Sequence, residues 1–126
     1  MKRRVARVDV PRPRAGAQWT EARYWSFIRS NLRLMFRKWP ARSQALVSAR
    51  RPYSGPNVRQ KWEYRCADCG DWHMGKAVEV DHIHPCGTLR SFADVAVFVE
   101  RLLCERDGFR VLCKPCHQKR THGDTE

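Results

Sequence analysis

Cys66 and Cys69 form one CxxC pair and Cys113 and Cys116 a second, with Asp81-His82 between them and His117 directly after the second pair. A two-residue turn places both sulfurs of a CxxC on one edge of a tetrahedron, and a second such turn completes it, so this spacing predicts a four-thiolate zinc site. Its role is expected to be structural, because four thiolates leave no coordination position for a substrate. A redox function would need only one of the pairs. Cys86 and Cys104 are surplus to this site; they read as small buried hydrophobes, with a second metal contact by Cys86 and His84 as the other possibility.

The zinc turns are expected to bring the end of a strand carrying Asp81 and His82 and the start of a helix carrying His117 to opposite sides of one small site. There Asp81 and His117 can hold a hard divalent ion, while His82 faces a substrate. Phosphodiester hydrolysis needs that division of labour: a cation to stabilise the phosphate and the leaving oxygen, and a base that titrates near neutral pH to deprotonate water.

The strings Val80-Asp81-His82-Ile83-His84-Pro85 and Val111-Leu112-Cys113-Lys114-Pro115-Cys116-His117-Gln118-Lys119-Arg120-Thr121 resemble the HNH nucleases of the ββα-metal fold, in the branch with a four-cysteine zinc site. The resemblance covers about residues 62–122, and the insertion between the two strings looks like that of small HNH proteins encoded by bacteriophages. It implies His82 as general base, Asp81 and His117 as ligands of the catalytic Mg²⁺ or Mn²⁺, and Cys66, Cys69, Cys113 and Cys116 as ligands of a structural Zn²⁺. In one respect the chain departs from the family. The family's middle Asn, which braces the loop carrying the base, falls nine residues before the metal-binding His, and Gly108 stands there. Asp107 or a backbone contact must then do that work.

These residues need elements to hold them. Thr20 is a candidate N-cap, and apolar residues recur at helical spacing through Tyr24, Phe27, Ile28, Leu32, Met35 and Trp39 until Pro40 ends the helix. Arg23, Arg29, Arg33, Arg37 and Lys38 lie among them and predict a cationic polar side. A shorter helix is expected over 42–50 and a linker over 52–57. Strands are expected over 61–65, 77–80 and 109–112, and a helix over 115–120. Ser91 with Asp94 resembles a capping box, opening a helix over 92–103 that is apolar on most sides and therefore expected to be largely buried. Trp72 and His73 are expected to pack beside the first CxxC turn. The fold expected is α+β: a zinc-stapled ββα-metal module over 61–126, a basic helical extension over 19–60, and an Arg/Pro-rich arm over 1–18 that stays disordered until bound.

The chain has 126 residues and a net charge of +12, divided unevenly. Residues 1–60 carry fifteen Lys and Arg against Asp9 and Glu21, a balance of +13, whereas residues 61–126 carry ten against eleven. A segment so basic attracts polyanions, and DNA is the expected partner. Arg29, Arg33, Arg37 and Lys38 on the first helix, with Lys119 and Arg120 after His117, are the expected phosphate contacts. A run of about 18 apolar residues, which a membrane span needs, is absent. With no apolar signal segment in residues 1–16 and with cysteines spaced for metal, the expected compartment is a reducing cytoplasm, that of a host cell if the chain is phage-encoded. The reading that results is a metal-dependent DNA endonuclease whose basic half grips the backbone. A zinc-dependent nucleic-acid-binding module without catalysis is the competing one, and a junction-resolving nuclease would share the chemistry on a different substrate shape.

Overall fold

The computed structural model describes residues 9–123, and within them the chain is a small α+β fold of four helices and two antiparallel sheets. Helix α1 (Glu21–Phe36) starts where Thr20 accepts the Arg23 N–H at 3.1 Å. Helix α2 (Pro40–Ser48) begins at the proline expected only to end α1, since proline at the first helical position costs no hydrogen bond. Strands β1 (Arg50–Pro52), β2 (Trp62–Arg65) and β3 (Trp72–His73) form a three-stranded sheet in that order. Strand β4 (Val78–His82) pairs with β5 (Phe109–Cys113), and helix α3 (Phe92–Leu102) lies in the insertion between them. Helix α4 (Lys114–Gly123) follows β5 directly.

The basic N-terminal half is built into the same core as the rest. Trp25 on α1 packs with Leu89 and with Phe98 and Leu102 of α3. Ala41 and Ala45 of α2 pack on Phe109 of β5, with Phe36 and Trp39 beside them. The Trp39 indole donates to the Cys104 carbonyl at 2.6 Å, and Arg29 donates to the Leu89 carbonyl at 3.2 Å.

Four expectations about these elements are corrected. The arm expected to be disordered until bound carries structure from Arg14 onward: Arg14 and Trp19 exchange backbone hydrogen bonds at 3.1 and 3.0 Å around a tight turn. The Arg14 guanidinium then pairs with Glu21 at 2.7 Å and stacks on Tyr24, which anchors the turn to α1; residues 1–8 of the arm lie outside the described residues. The expected linker over 52–57 is the loop of a hairpin, in which Pro52 is opposite Trp62 and Tyr53 N donates to Lys61 O at 3.0 Å. Helix α3 buries only Phe98 and Leu102 fully, leaving Phe92 and Val97 exposed, because α1 covers one side of it alone. On α1, Phe27, Leu34 and Met35 are exposed where an apolar inward face was expected to include Phe27 and Met35.

Candidate metal and hydrolytic site

The first CxxC turn closes off the end of β2. Gly70, at φ +76°, lets its N–H return to the Cys66 carbonyl at 3.0 Å, and Ala67 N donates to Val111 O at 2.8 Å, stitching the turn to β5. Cys113 is the last residue of β5 and Cys116 lies in the first turn of α4. The four sulfurs lie within 4.8 Å of one another, with Cys69 and Cys113 at 3.9 Å. Zinc–sulfur bonds of about 2.3 Å place tetrahedral sulfurs about 3.8 Å apart, so the cluster has the size of a zinc site. Cys66 and Cys113 are buried and, with Leu112, form a core cluster of their own.

The thiols of this cluster share their protons unequally. Burial pushes Cys66 up, but hydrogen bonds from the backbone of Cys113, Cys69 and Asp68 outweigh it and lower its pKa to about 6. Cys116, hydrogen-bonded to Cys113 and then to its other neighbours, is pushed up to about 12. Such a cluster could hold a metal ion such as zinc, whose binding would replace the remaining protons. His73 approaches Cys69 Sγ through Nε2 at 3.7 Å, in keeping with its expected place beside the turn.

Strand alternation sets the second group. Residues directly opposite in an antiparallel pair share a face, so Asp81 and its partner Arg110 point one way while His82 and Phe109 point the other. Asp81 Oδ1 lies 3.5 Å from His117 Nε2, across the β4–α4 junction. The Arg110 Nε donates to Asp81 Oδ2 at 2.7 Å. On the far side of the imidazole, His117 Nδ1 lies 2.9 Å from a carboxylate oxygen of Glu79, two residues before Asp81 on the same strand face. A carboxylate only accepts, so a hydrogen at Nδ1 serves Glu79, and in that tautomer the Nε2 lone pair faces Asp81. Two lone pairs at that separation are satisfied by a second proton or by a cation between them. Cis ligands of an octahedral ion at about 2.1 Å are about 3 Å apart, against 3.5 Å between these two atoms.

His82 is half-buried, its ring 4.9 Å from those of both Phe36 and Phe109. Its Nε2 lies 3.0 Å from the Leu102 carbonyl. The carbonyl accepts, so Nε2 carries the hydrogen and Nδ1 is the basic nitrogen. The following residue is tied as well, for Ile83 N donates to Gly108 O at 2.9 Å. Gly108 thus braces the His82 strand end through its backbone, whereas Asp107 is exposed and, among the described residues, pairs with Arg106 at 3.6 Å. Asp81, His82, Arg33, Arg110, Arg120 and Thr121 line one open groove of about 780 Å³.

The expected phosphate contacts divide. Arg33 is exposed and lines the groove, and Arg37, Lys38 and Lys119 are exposed. Arg29 is spent on the Leu89 carbonyl, and Arg120 holds Asp68 of the first CxxC turn through two bonds of 2.5 and 2.6 Å. That grip holds the Asp68 carboxyl below its ordinary value. His84 and Cys86 line different pockets, and among the described residues only the four cysteines form a cluster of three or more metal-ligating groups. Cys86 and Cys104 instead pack against the two helical core clusters, and burial raises both thiols. Glu79, Arg110 and the carbonyls of Leu102 and Gly108 were not anticipated; Glu79 alone had a sequence signal, its position two residues before Asp81 in an expected strand. No family model, curated protein or solved structure matches this chain.

Proposed function

We propose that the chain is a metal-dependent endonuclease that hydrolyses DNA phosphodiester bonds in the manner of the HNH nucleases it resembles, with a four-cysteine zinc site as its structural staple. The observation that carries this reading is the juxtaposition of Asp81 and His117, 3.5 Å apart, with a groove-lining histidine whose basic nitrogen is fixed by its bond to Leu102. Asp81 Oδ1 and His117 Nε2 would hold Mg²⁺ or Mn²⁺, which when bound supplies electrostatic stabilisation of the charge developing on phosphate and leaving oxygen. His82 Nδ1 takes a proton from water as the water oxygen bonds to phosphorus and the phosphorus–oxygen bond of the leaving group breaks. Glu79 holds His117 in orientation, and Arg33 places a cation at the groove edge for the incoming phosphate. The excess of +13 over residues 1–60 supports a polyanionic substrate.

The ion pair of Arg110 with Asp81 favours a second reading, a nucleic-acid-binding module in which the guanidinium has taken the place of the divalent ion. Incubation with supercoiled plasmid separates the two. Relaxation or linearisation that requires Mg²⁺ or Mn²⁺ and stops with chelator supports the nuclease; plasmid retardation without cleavage supports the binding module.

A further inference from the structure

From the placement of Arg110 we infer a further catalytic residue: its guanidinium contacts a non-bridging oxygen of the scissile phosphate and stabilises the charge that gathers there in the transition state. This inference rests on the nuclease reading above. Arg110 is the cross-strand partner of Asp81 and lines the same groove as His82. Its partner is the Asp81 carboxylate, reached through Nε at 2.7 Å, and its side chain is 20% exposed. Among the described residues the guanidinium hydrogen-bonds through Nε alone, which fixes its plane and leaves the N–H groups of both terminal nitrogens to serve a ligand, while its charge also reaches Asp68. A guanidinium stays protonated at any working pH, so it offers fixed positive charge with no proton to lose. Held beside Asp81 of the proposed ion site, and with His82 on the lining of the same groove, it lies where negative charge would develop.

A purely structural role makes a different forecast. If Arg110 only neutralised Asp81, its removal would free the carboxylate, strengthen divalent-ion binding and leave the rate at saturating ion unchanged or faster. The catalytic role forecasts a lower rate at saturating ion together with little change in DNA affinity, because the contact strengthens as charge develops.

The test is single-turnover cleavage of plasmid by the full chain, titrated with Mn²⁺ to saturation, for the parent, Arg110→Ala and Arg110→Lys, with DNA affinity measured separately in chelator. Loss of one such donor lowers the rate by about 100-fold. Arg110→Ala is expected to show that loss at saturating Mn²⁺, to bind DNA nearly as the parent does, and to recover rate when guanidinium ion is added at millimolar concentration. Arg110→Lys, which keeps the charge but not the fork, is expected to fall between. Zinc content and the thermal transition establish that each variant is folded, and rescue by added guanidinium distinguishes a missing group from a damaged fold. An Arg110→Ala protein that matches the parent at saturating Mn²⁺, or one whose lost rate no guanidinium restores while Arg110→Lys is equally slow, overturns the inference and leaves the nuclease reading standing. A parent that cuts no DNA overturns both.

Discussion

The carbonyl of Gly108 accepts the Ile83 N–H at 2.9 Å, and this one bond joins the strand end that carries His82 to the turn that precedes β5. The site therefore needs backbone, not a side chain, at position 108. A Cβ built there would run into the Cys104 sulfur, with Cys104 Cβ at 3.2 Å behind it. Gly108→Asn is accordingly expected to lower the thermal transition and slow cleavage, by overpacking worth about 1–3 kcal/mol. Cys104→Ala in the same chain should recover much of the loss. A Gly108→Asn protein as stable as the parent and faster would mean that a side-chain brace had been missing after all.

Zinc is expected to be a folding ligand, because the four cysteines join β2, β5 and α4 across a small cluster in which Cys66, Cys113 and Leu112 are buried. Cys113→Ser, or strong chelation, should abolish the cooperative thermal transition of the β4–β5–α4 region, read by circular dichroism. The same transition surviving in a Cys113→Ser protein that binds no zinc would refute the assignment.

Zinc affinity should rise with pH. Below about 6 the Cys66 thiol is protonated in the metal-free chain, and Cys116, held up to about 12, keeps its proton through neutrality. Zinc must displace those protons, so calorimetric titration in buffers of different ionisation enthalpy should detect proton release at pH 7, increasing as the pH is lowered towards 6. Binding with no proton release would contradict the shared-proton cluster.

Glu79 should matter through His117. Glu79→Ala removes the carboxylate 2.9 Å from Nδ1 and is expected to weaken Mn²⁺ binding by about 10-fold or more, whereas Glu79→Gln retains an acceptor and should lie near the parent. Paramagnetic resonance of free Mn²⁺ measures both. Equal affinities in all three proteins would remove Glu79 from the site.

Arg29 and Arg33, one helical turn apart on α1, should behave differently. Arg33→Ala is expected to reduce the log–log salt slope of DNA binding by about 0.9, the value of one phosphate contact, with little effect on stability. Arg29→Ala should leave the slope alone and lower the thermal transition, since its guanidinium holds the Leu89 carbonyl. Two variants with the same slope change would mean that the groove edge is not where DNA lies.

Much of the fold was legible because local signals were strong and agreed with long-range packing. Thr20 opens α1 as its cap chemistry predicts, Asp94 returns to the Ser91 N–H at 3.2 Å, and β4 carries Asp81 and His82 to its end. The short strands were not legible. Arg50-Arg51-Pro52 has no strand propensity of its own and is extended because β2 pairs with it, while β3 is two residues long. At the candidate site the gathering of the four cysteines could be read from spacing, and Asp81 and His117 do approach one another, but partners set by tertiary register could not be read. Arg110 meets Asp81 only through the β4–β5 alignment, and Arg120, expected to face phosphate, turns to Asp68. In both cases a nearby carboxylate competes for an arginine, and only the fold decides which one is near.

In the proposed mechanism His82 Nδ1 is the base that activates water beside Asp81 and His117. Single-turnover plasmid cleavage at saturating Mn²⁺, comparing the parent with His82→Ala in preparations shown free of other nucleases, tests it most directly. His82→Ala is expected to be slower by about 10²- to 10⁴-fold, with zinc content, thermal transition and DNA affinity preserved and with excess Mn²⁺ giving no rescue. A His82→Ala protein that cuts as fast as the parent would contradict it.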